Sequence, residues 1–309
     1  MSAVLAGFAA LGAVVAVGWV AGRTGVLGAD AAAVLSRLSF FVATPALLVL
    51  TLAAADPGVL LSSALVATGG SALLAALLYV GLAWWRWRPS AAQLTTGAFA
   101  SSYVNAANLG VPITAYVLGD ASYVAPVLLF QVLVMAPVGL AVLARSAAPA
   151  GGAPSRWRLW TQPVRTPVVI GCVLGLLLAA TGLQLPELVR QPVSLLAALA
   201  VPAALLAFGM SLSGAARPAT GEAGRHVWLA VALKTAVQPA LAYALGRWAV
   251  QLSGVHLLAV TLTSALPTAQ NVFVYATAYD RGIALARDAV LVSTVLSIPV
   301  LVVVAVVLA

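Results

Sequence analysis

The sequence predicts an all-α membrane protein of ten transmembrane helices, arranged as two inverted five-helix repeats. Three observations carry that expectation. The first is composition: of 309 residues, 63% are hydrophobic and 7% charged, where soluble domains hold about 25% charged residues. The second is the recurrence of apolar runs long enough to cross a bilayer core of about 30 Å. The third is the arginine pattern. With spans at 3–22, 34–53, 59–83, 93–119, 121–144, 164–182, 193–213, 226–250, 254–279 and 283–308, every arginine except Arg190 and Arg247 falls on one side. By the positive-inside rule that side is cytoplasmic, so both termini face outward. The runs are continuous instead of alternating, which favours helices over a barrel, and each helix satisfies its own backbone.

Net charge is +8, which reads as arginines facing anionic lipid and not as a nucleic-acid surface. Cys172 is the sole cysteine, so no internal disulfide forms. His226 and His256 stand far apart, and no Cys/His cluster has metal-ligand spacing. No basic segment precedes the first apolar run, so that run reads as a span and not a cleaved signal. The aromatic cluster at Trp84, Trp85 and Trp87 is an interfacial anchor. Only 145–163, with Pro149, Gly151, Gly152 and Pro154, resembles a linker. It separates a first repeat, 1–144, from a second, 164–309.

Prolines recur across that division. Pro45 in PALL pairs with Pro202 in PAALL, Pro112 in VPITA with Pro267 in LPTAQ, and Pro137 in MAP with Pro299 in SIP. The separations are nearly constant. Five spans per half force the second half to enter from the opposite side, and inverted repeats of this kind place substrate near the midplane.

The polar residues inside the membrane point to the same place. The fourth span carries Ser101, Ser102, Asn105, Asn108, Gly110 and Pro112, and a break is expected at 108–112. The ninth carries Pro267, followed by Thr268, Gln270 and Asn271, with a break at Pro267. If the breaks cross, two half-helix N-termini converge, and their free N–H groups favour an anion. Asn105, Asn108, Gln270 and Asn271 then orient it. The competing reading is that prolines kink the helices and Asn side chains join them.

Lys234 is the only lysine and lies within the eighth span. An intramembrane ionisable residue is a functional candidate; three roles stay open, namely counter-charge to substrate, a protonation switch, and snorkelling to an interface. The acidic residues Asp30, Asp56, Asp120, Glu187, Glu222, Asp280 and Asp288 all fall at loops or span ends, so no buried carboxylate pair is available. Asp120 and Asp280 close the two broken spans, as gates or as solvated helix ends. No nucleophile–base pair and no phosphate-cradling glycine loop is present, which argues against an enzyme.

Several stretches resemble the auxin efflux carrier family of membrane transport proteins, which includes plant auxin exporters and bacterial malonate and related organic-acid permeases. They are LSFFVATPALLVLTLA at 38–53, NAANLGVPITAYVLGD at 105–120, PVVIGCVLGLLLAATGLQLP at 167–186, VPAALLAFGMSL at 201–212, LKTAVQPALA at 233–242 and ALPTAQNVFVYATAYD at 265–280. The resemblance implies an elevator-type, sodium–proton antiporter-like fold. In it spans 1, 2, 6 and 7 form a scaffold, and 3–5 and 8–10 form a transport domain. It implies that the broken spans cross at Pro112 and Pro267, with a substrate carboxylate held by Asn105, Asn108 and Asn271. It also implies a small organic anion as substrate, a bacterial cytoplasmic membrane, and a homodimer through the scaffold. No cofactor is expected. A coupling ion, H⁺ or Na⁺, stays open, as does the alternative of a cation-coupled carrier of the bile-acid symporter or antiporter type.

Overall fold

The computed structural model describes residues 2–54, 62–146, 167–213 and 218–308. The linker expected at 145–163 lies almost wholly outside them, as do Asp56, Arg156, Arg158, Arg165 and Arg217. Among the described residues the chain is helical, and its single strand-like feature is one antiparallel bridge between Val104 and Thr268.

In chain order the helices are α1 (Ser2–Thr24), α2 (Ala31–Ala53), α3 (Ser63–Trp87), α4 (Ala91–Ser102), α5 (106–118), α6 (Ala121–Ser146), α7 (Pro167–Thr181), α8 (Glu187–Leu212), α9 (Gly221–Ala249), α10 (Gly254–Ser264), α11 (Gln270–Ala278) and α12 (Ile283–Leu308). Six of them, α2, α3, α6, α8, α9 and α12, are long and apolar enough to cross a membrane. α7 and α10 are shorter apolar helices. Large side chains such as Val17, Leu77, Leu177, Leu195 and Val306 are exposed, as a lipid-facing surface requires, while the interior combines alanine, glycine and hydroxyl residues with large side chains such as Phe40, Tyr79, Leu109 and Phe273. α3 shows the division: Ala67, Gly69, Ser71, Ala72 and Ala75 face inward, and Leu73, Leu74, Leu77 and Leu78 face outward.

The ends of the helices are set by local chemistry. The Ser62 hydroxyl accepts from Leu65 N–H at the start of α3. At its end Arg88 adopts φ +48°, and its guanidinium lies over the Trp84 ring. Ser90 and Gln93 form a reciprocal capping box that starts α4. Asp120 accepts from Ser122 N–H and opens α6.

Four of the in-span prolines follow one rule. Widened five-residue turns at Ser39–Ala43, Ala106–Gly110, Gln131–Met135 and Leu233–Val237 each end two residues before a proline, Pro45, Pro112, Pro137 and Pro239. Proline has no N–H to give to the preceding turn and its ring crowds the carbonyl there. A widened turn absorbs both problems without ending the helix.

Two seams join helices before residue 146 to helices after residue 167. Gly18 and Gly22 on α1 lie against the backbone of Leu206 and Met210 on α8; a Cβ at Gly18 would sit 2.5 Å from the Leu206 carbonyl. Gly171 and Gly175 on α7 lie in the same way against Pro45 and Val49 on α2, where a Cβ at Gly171 would sit 2.7 Å from the Pro45 carbonyl. Each pair has the small-xxx-small spacing that lets membrane helices touch backbone to backbone. α8 packs on α2 as well, so α1, α2, α7 and α8 form one layer. The remaining helices form the other, with α11 reaching α2 and α8, and α5 reaching α1.

Candidate substrate site at the helix crossing

The chain between α4 and α5 leaves helical geometry at Tyr103–Asn105, and the chain between α10 and α11 leaves it at 265–269. The two extended pieces run antiparallel and share two hydrogen bonds. Asn105 N–H donates to the Pro267 carbonyl at 2.8 Å, and Ala269 N–H donates to the Tyr103 carbonyl at 3.0 Å. Exchanging the halves therefore exchanges Tyr103 with Pro267 and Asn105 with Ala269.

This corrects the expectation that the first break lies at 108–112 and that Pro112 and Pro267 are equivalent. Pro267 lies in the crossing, but Pro112 is the second residue of the helical segment Val111–Leu118. The widened turn Ala106–Gly110 carries the helix into it. Gly110 is likewise helical. Its missing Cβ leaves room for Val124, whose Cγ2 would be 2.5 Å from a Cβ there.

What breaks the first helix is tertiary. Gln131 from α6 satisfies both backbone groups of Val104, accepting from its N–H at 2.5 Å and donating to its carbonyl at 3.2 Å. In the other half Ser293 from α12 accepts from Thr268 N–H at 3.1 Å. The Thr268 hydroxyl donates to the Ala100 carbonyl at 2.6 Å, tying the crossing to the end of α4. Buried polar backbone in a membrane interior needs such partners.

Behind the crossing lies Lys234. It is fully buried, which overturns snorkelling as its role. Its ammonium donates to the Gln238 side-chain oxygen at 2.6 Å and to the Ser264 carbonyl at 2.9 Å. Gln238 in turn donates to the Ser102 carbonyl at 3.0 Å. Ser264 and Ser102 are the last residues of α10 and α4. One lysine and one glutamine on successive turns of α9 thus cap the C-termini of both incoming half-helices. A cation belongs there, because the helix dipole is negative at that end.

In front of the crossing α5 and α11 begin, and their first turns leave N–H groups without intrahelical partners. A cavity of about 60 Å³ opens there, bounded by α2, α6 and α7. Asn105, Asn108 and Asn271 line it, with Thr44, Thr51, Tyr103, Gln131 and Tyr275. Asn105 is buried; Asn108 and Asn271 are half-buried. The rings of Tyr103 and Tyr275 meet edge to face at 6.1 Å, and Phe99 and Phe40 continue the stack. No charged side chain lines the cavity among the described residues.

Of the residues singled out in the sequence, Asn105, Asn108 and Asn271 share this cavity. Pro267 and Thr268 build the crossing itself. Gln270 lines a separate cavity on the other face, and Gly110 and Lys234 line neither. Gln131, Tyr103 and Tyr275 were not anticipated; a glutamine in the apolar run FQVLVMAP was the available signal for Gln131. Asp288 also departs from expectation. It lies one turn inside α12, is 3% exposed, and accepts from Ala219 N–H at 3.0 Å and from Arg287 at 2.8 Å. Asp120 is an N-cap, its carboxyl held below the usual carboxylate range by the Ser122 amide.

A helical chain in which two interrupted helices cross, with polar side chains at the crossing and exposed leucines outside, has the build of a solute carrier. The family described as Membrane transport protein matches residues 4–150 and 156–305, nearly the whole length, and the chain belongs to it. It is a membrane transport protein. No curated protein matches the chain.

Proposed function

We propose that this protein carries a small organic anion, a carboxylate, across a bacterial cytoplasmic membrane by elevator-type alternating access. In this reading ten spans are present and both termini are extracytoplasmic. The layer of α1, α2, α7 and α8 is the scaffold, through which two copies pair. The remaining helices are the moving domain.

The observation that carries the reading is the cavity in front of the crossing, where the first turns of α5 and α11 and the amides of Asn105, Asn108 and Asn271 meet. Each helix start contributes about 0.3–2 kcal/mol toward a negative group, and each neutral hydrogen bond about 0.5–1.5 kcal/mol. Oriented dipoles thus attract a carboxylate without a fixed counter-charge. That leaves Lys234 free for the carbonyl ends behind the crossing, which are the oxygens a sodium ion would otherwise seek. The geometry accordingly weighs against the cation-coupled alternative at that position.

The test is uptake of labelled short mono- and dicarboxylates into proteoliposomes. Asn108→Ala and Asn271→Ala are each expected to lower uptake by about tenfold, the equivalent of roughly 1.4 kcal/mol. Carboxylate transport indifferent to both substitutions would remove the site assignment, and sodium dependence would restore the alternative.

A further inference from the structure

The two halves place a second cavity on the opposite face of the crossing. The first is bounded by α2, α6 and α7; exchanging the repeats turns these into α8, α12 and α1, and those helices enclose a cavity of about 130 Å³. Asn105 lines both. The walls of the second are Val15, Leu109, Leu205, Phe208 and Leu291, with Gln270 and Thr294 as its other polar members.

Gln270 is 2% exposed, and its side-chain oxygen has no hydrogen-bond partner. An orphaned buried acceptor costs about 1–3 kcal/mol. The Thr294 hydroxyl is committed to the Val290 carbonyl at 2.7 Å. Water is a poor occupant, since each molecule occupies about 30 Å³ and needs two to four polar partners. The walls offer few. A cavity of about 150 Å³ lined by Leu, Ile and Phe holds a benzene-sized molecule; this one is of similar size, with Asn105, Gln270 and Thr294 as polar members of its walls.

We propose that this second cavity is a ligand position for a short, uncharged organic molecule whose O–H group donates to the Gln270 side-chain oxygen. At the Gln270 oxygen a carboxylate would set acceptor against acceptor. An ammonium would find no acidic side chain among these walls, and burying it unpaired is costly. The assignment goes beyond the carboxylate reading and uses the other face of the crossing.

The experiment is photolabelling of the purified protein with 3-azibutanol, a four-carbon alcohol, followed by mapping of adducts by mass spectrometry. Adducts are expected on Val15, Phe208 or Leu291, and excess butan-1-ol should suppress them. Gly12 lines this cavity, and a Cβ there meets nothing within 4 Å, so Gly12→Leu adds volume at an unopposed Cβ and should abolish them. Gln270→Met should weaken labelling by about two- to tenfold, the range of one neutral hydrogen bond. Asn271→Ala, on the first cavity only, should leave labelling intact. Adducts elsewhere, or labelling at these residues indifferent to both Gly12→Leu and Gln270→Met, would overturn the proposal. Loss of carboxylate transport in Asn271→Ala tests the first cavity separately.

Discussion

Replacing Lys234 by methionine tests the capping geometry directly. Methionine keeps the length and apolar stem but removes the ammonium. It leaves the Ser264 carbonyl and the Gln238 oxygen, both now served at 2.9 and 2.6 Å, without a donor. Two orphaned buried acceptors cost about 1–3 kcal/mol each, and loss of the charge at the end of α10 adds up to about 2 kcal/mol. Against this, methionine no longer carries the desolvation cost of a buried cation, which runs to several kcal/mol. The expected net loss is about 2–4 kcal/mol, from these terms together. At about 2–4 °C per kcal/mol for a chain somewhat shorter than this one, the melting temperature should fall by roughly 4–16 °C. The assay is thermal unfolding in detergent, followed by tryptophan fluorescence. Gln238→Leu and the double variant complete a cycle, in which residues sharing one network should show about 0.5–3 kcal/mol of coupling. An unchanged melting temperature in Lys234→Met, together with loss of carboxylate binding, would refute the argument and return Lys234 to the role of substrate counter-charge.

Other outcomes follow from the same contacts. Gln131→Leu orphans the Val104 N–H, the Val104 carbonyl still accepting from Ala106 N–H at 2.8 Å, and should cost about 1–3 kcal/mol in the same melting assay. Gly97→Ala should lower the melting temperature clearly, because a Cβ there would fall 1.9 Å from the Tyr79 ring, forcing α3 and α4 apart. Gly18→Leu and Gly175→Leu should each loosen one seam, read as a lower melting temperature and faster proteolysis. Pro112→Ala should change stability by less than about 1 kcal/mol, since the widened turn at Ala106–Gly110 already accommodates the missing N–H and the ring; a large loss there would contradict the placement of the break.

The membrane class, the helical course and the second break were legible because they rest on local chemistry: long apolar runs, and a proline followed at once by Thr268, Gln270 and Asn271. The first break was not. Tyr103, Val104 and Asn105 contain neither proline nor glycine, and what opens the helix there is Gln131 on α6 and the partner strand at 267–269. Both come from distant parts of the chain. Pro112 misled for a complementary reason. A proline signals either a break or a widened turn, and only the surrounding packing decides which. Asn105, Asn108 and Asn271 were readable because polar side chains in apolar runs stand out, whereas Tyr103 and Tyr275 look like ordinary core aromatics until their cavity is seen. Asp288 was misplaced because it lies only one turn from a helix end, where sequence cannot distinguish water from the buried Ala219 amide.

The glycine seams have a consequence for how the chain must come together. Each seam takes one helix from either side of the linker: α1 closes on α8, and α7 closes on α2. An amino-terminal half released alone would display the unmated glycine groove of α1 and the bare Pro45–Val49 face of α2 to the lipid. Nascent chains must therefore hold α1 and α2 waiting until α7 and α8 have been threaded. Two fragments severed between 146 and 167 and made in the same cell should find each other by those surfaces, whereas either fragment by itself should be degraded.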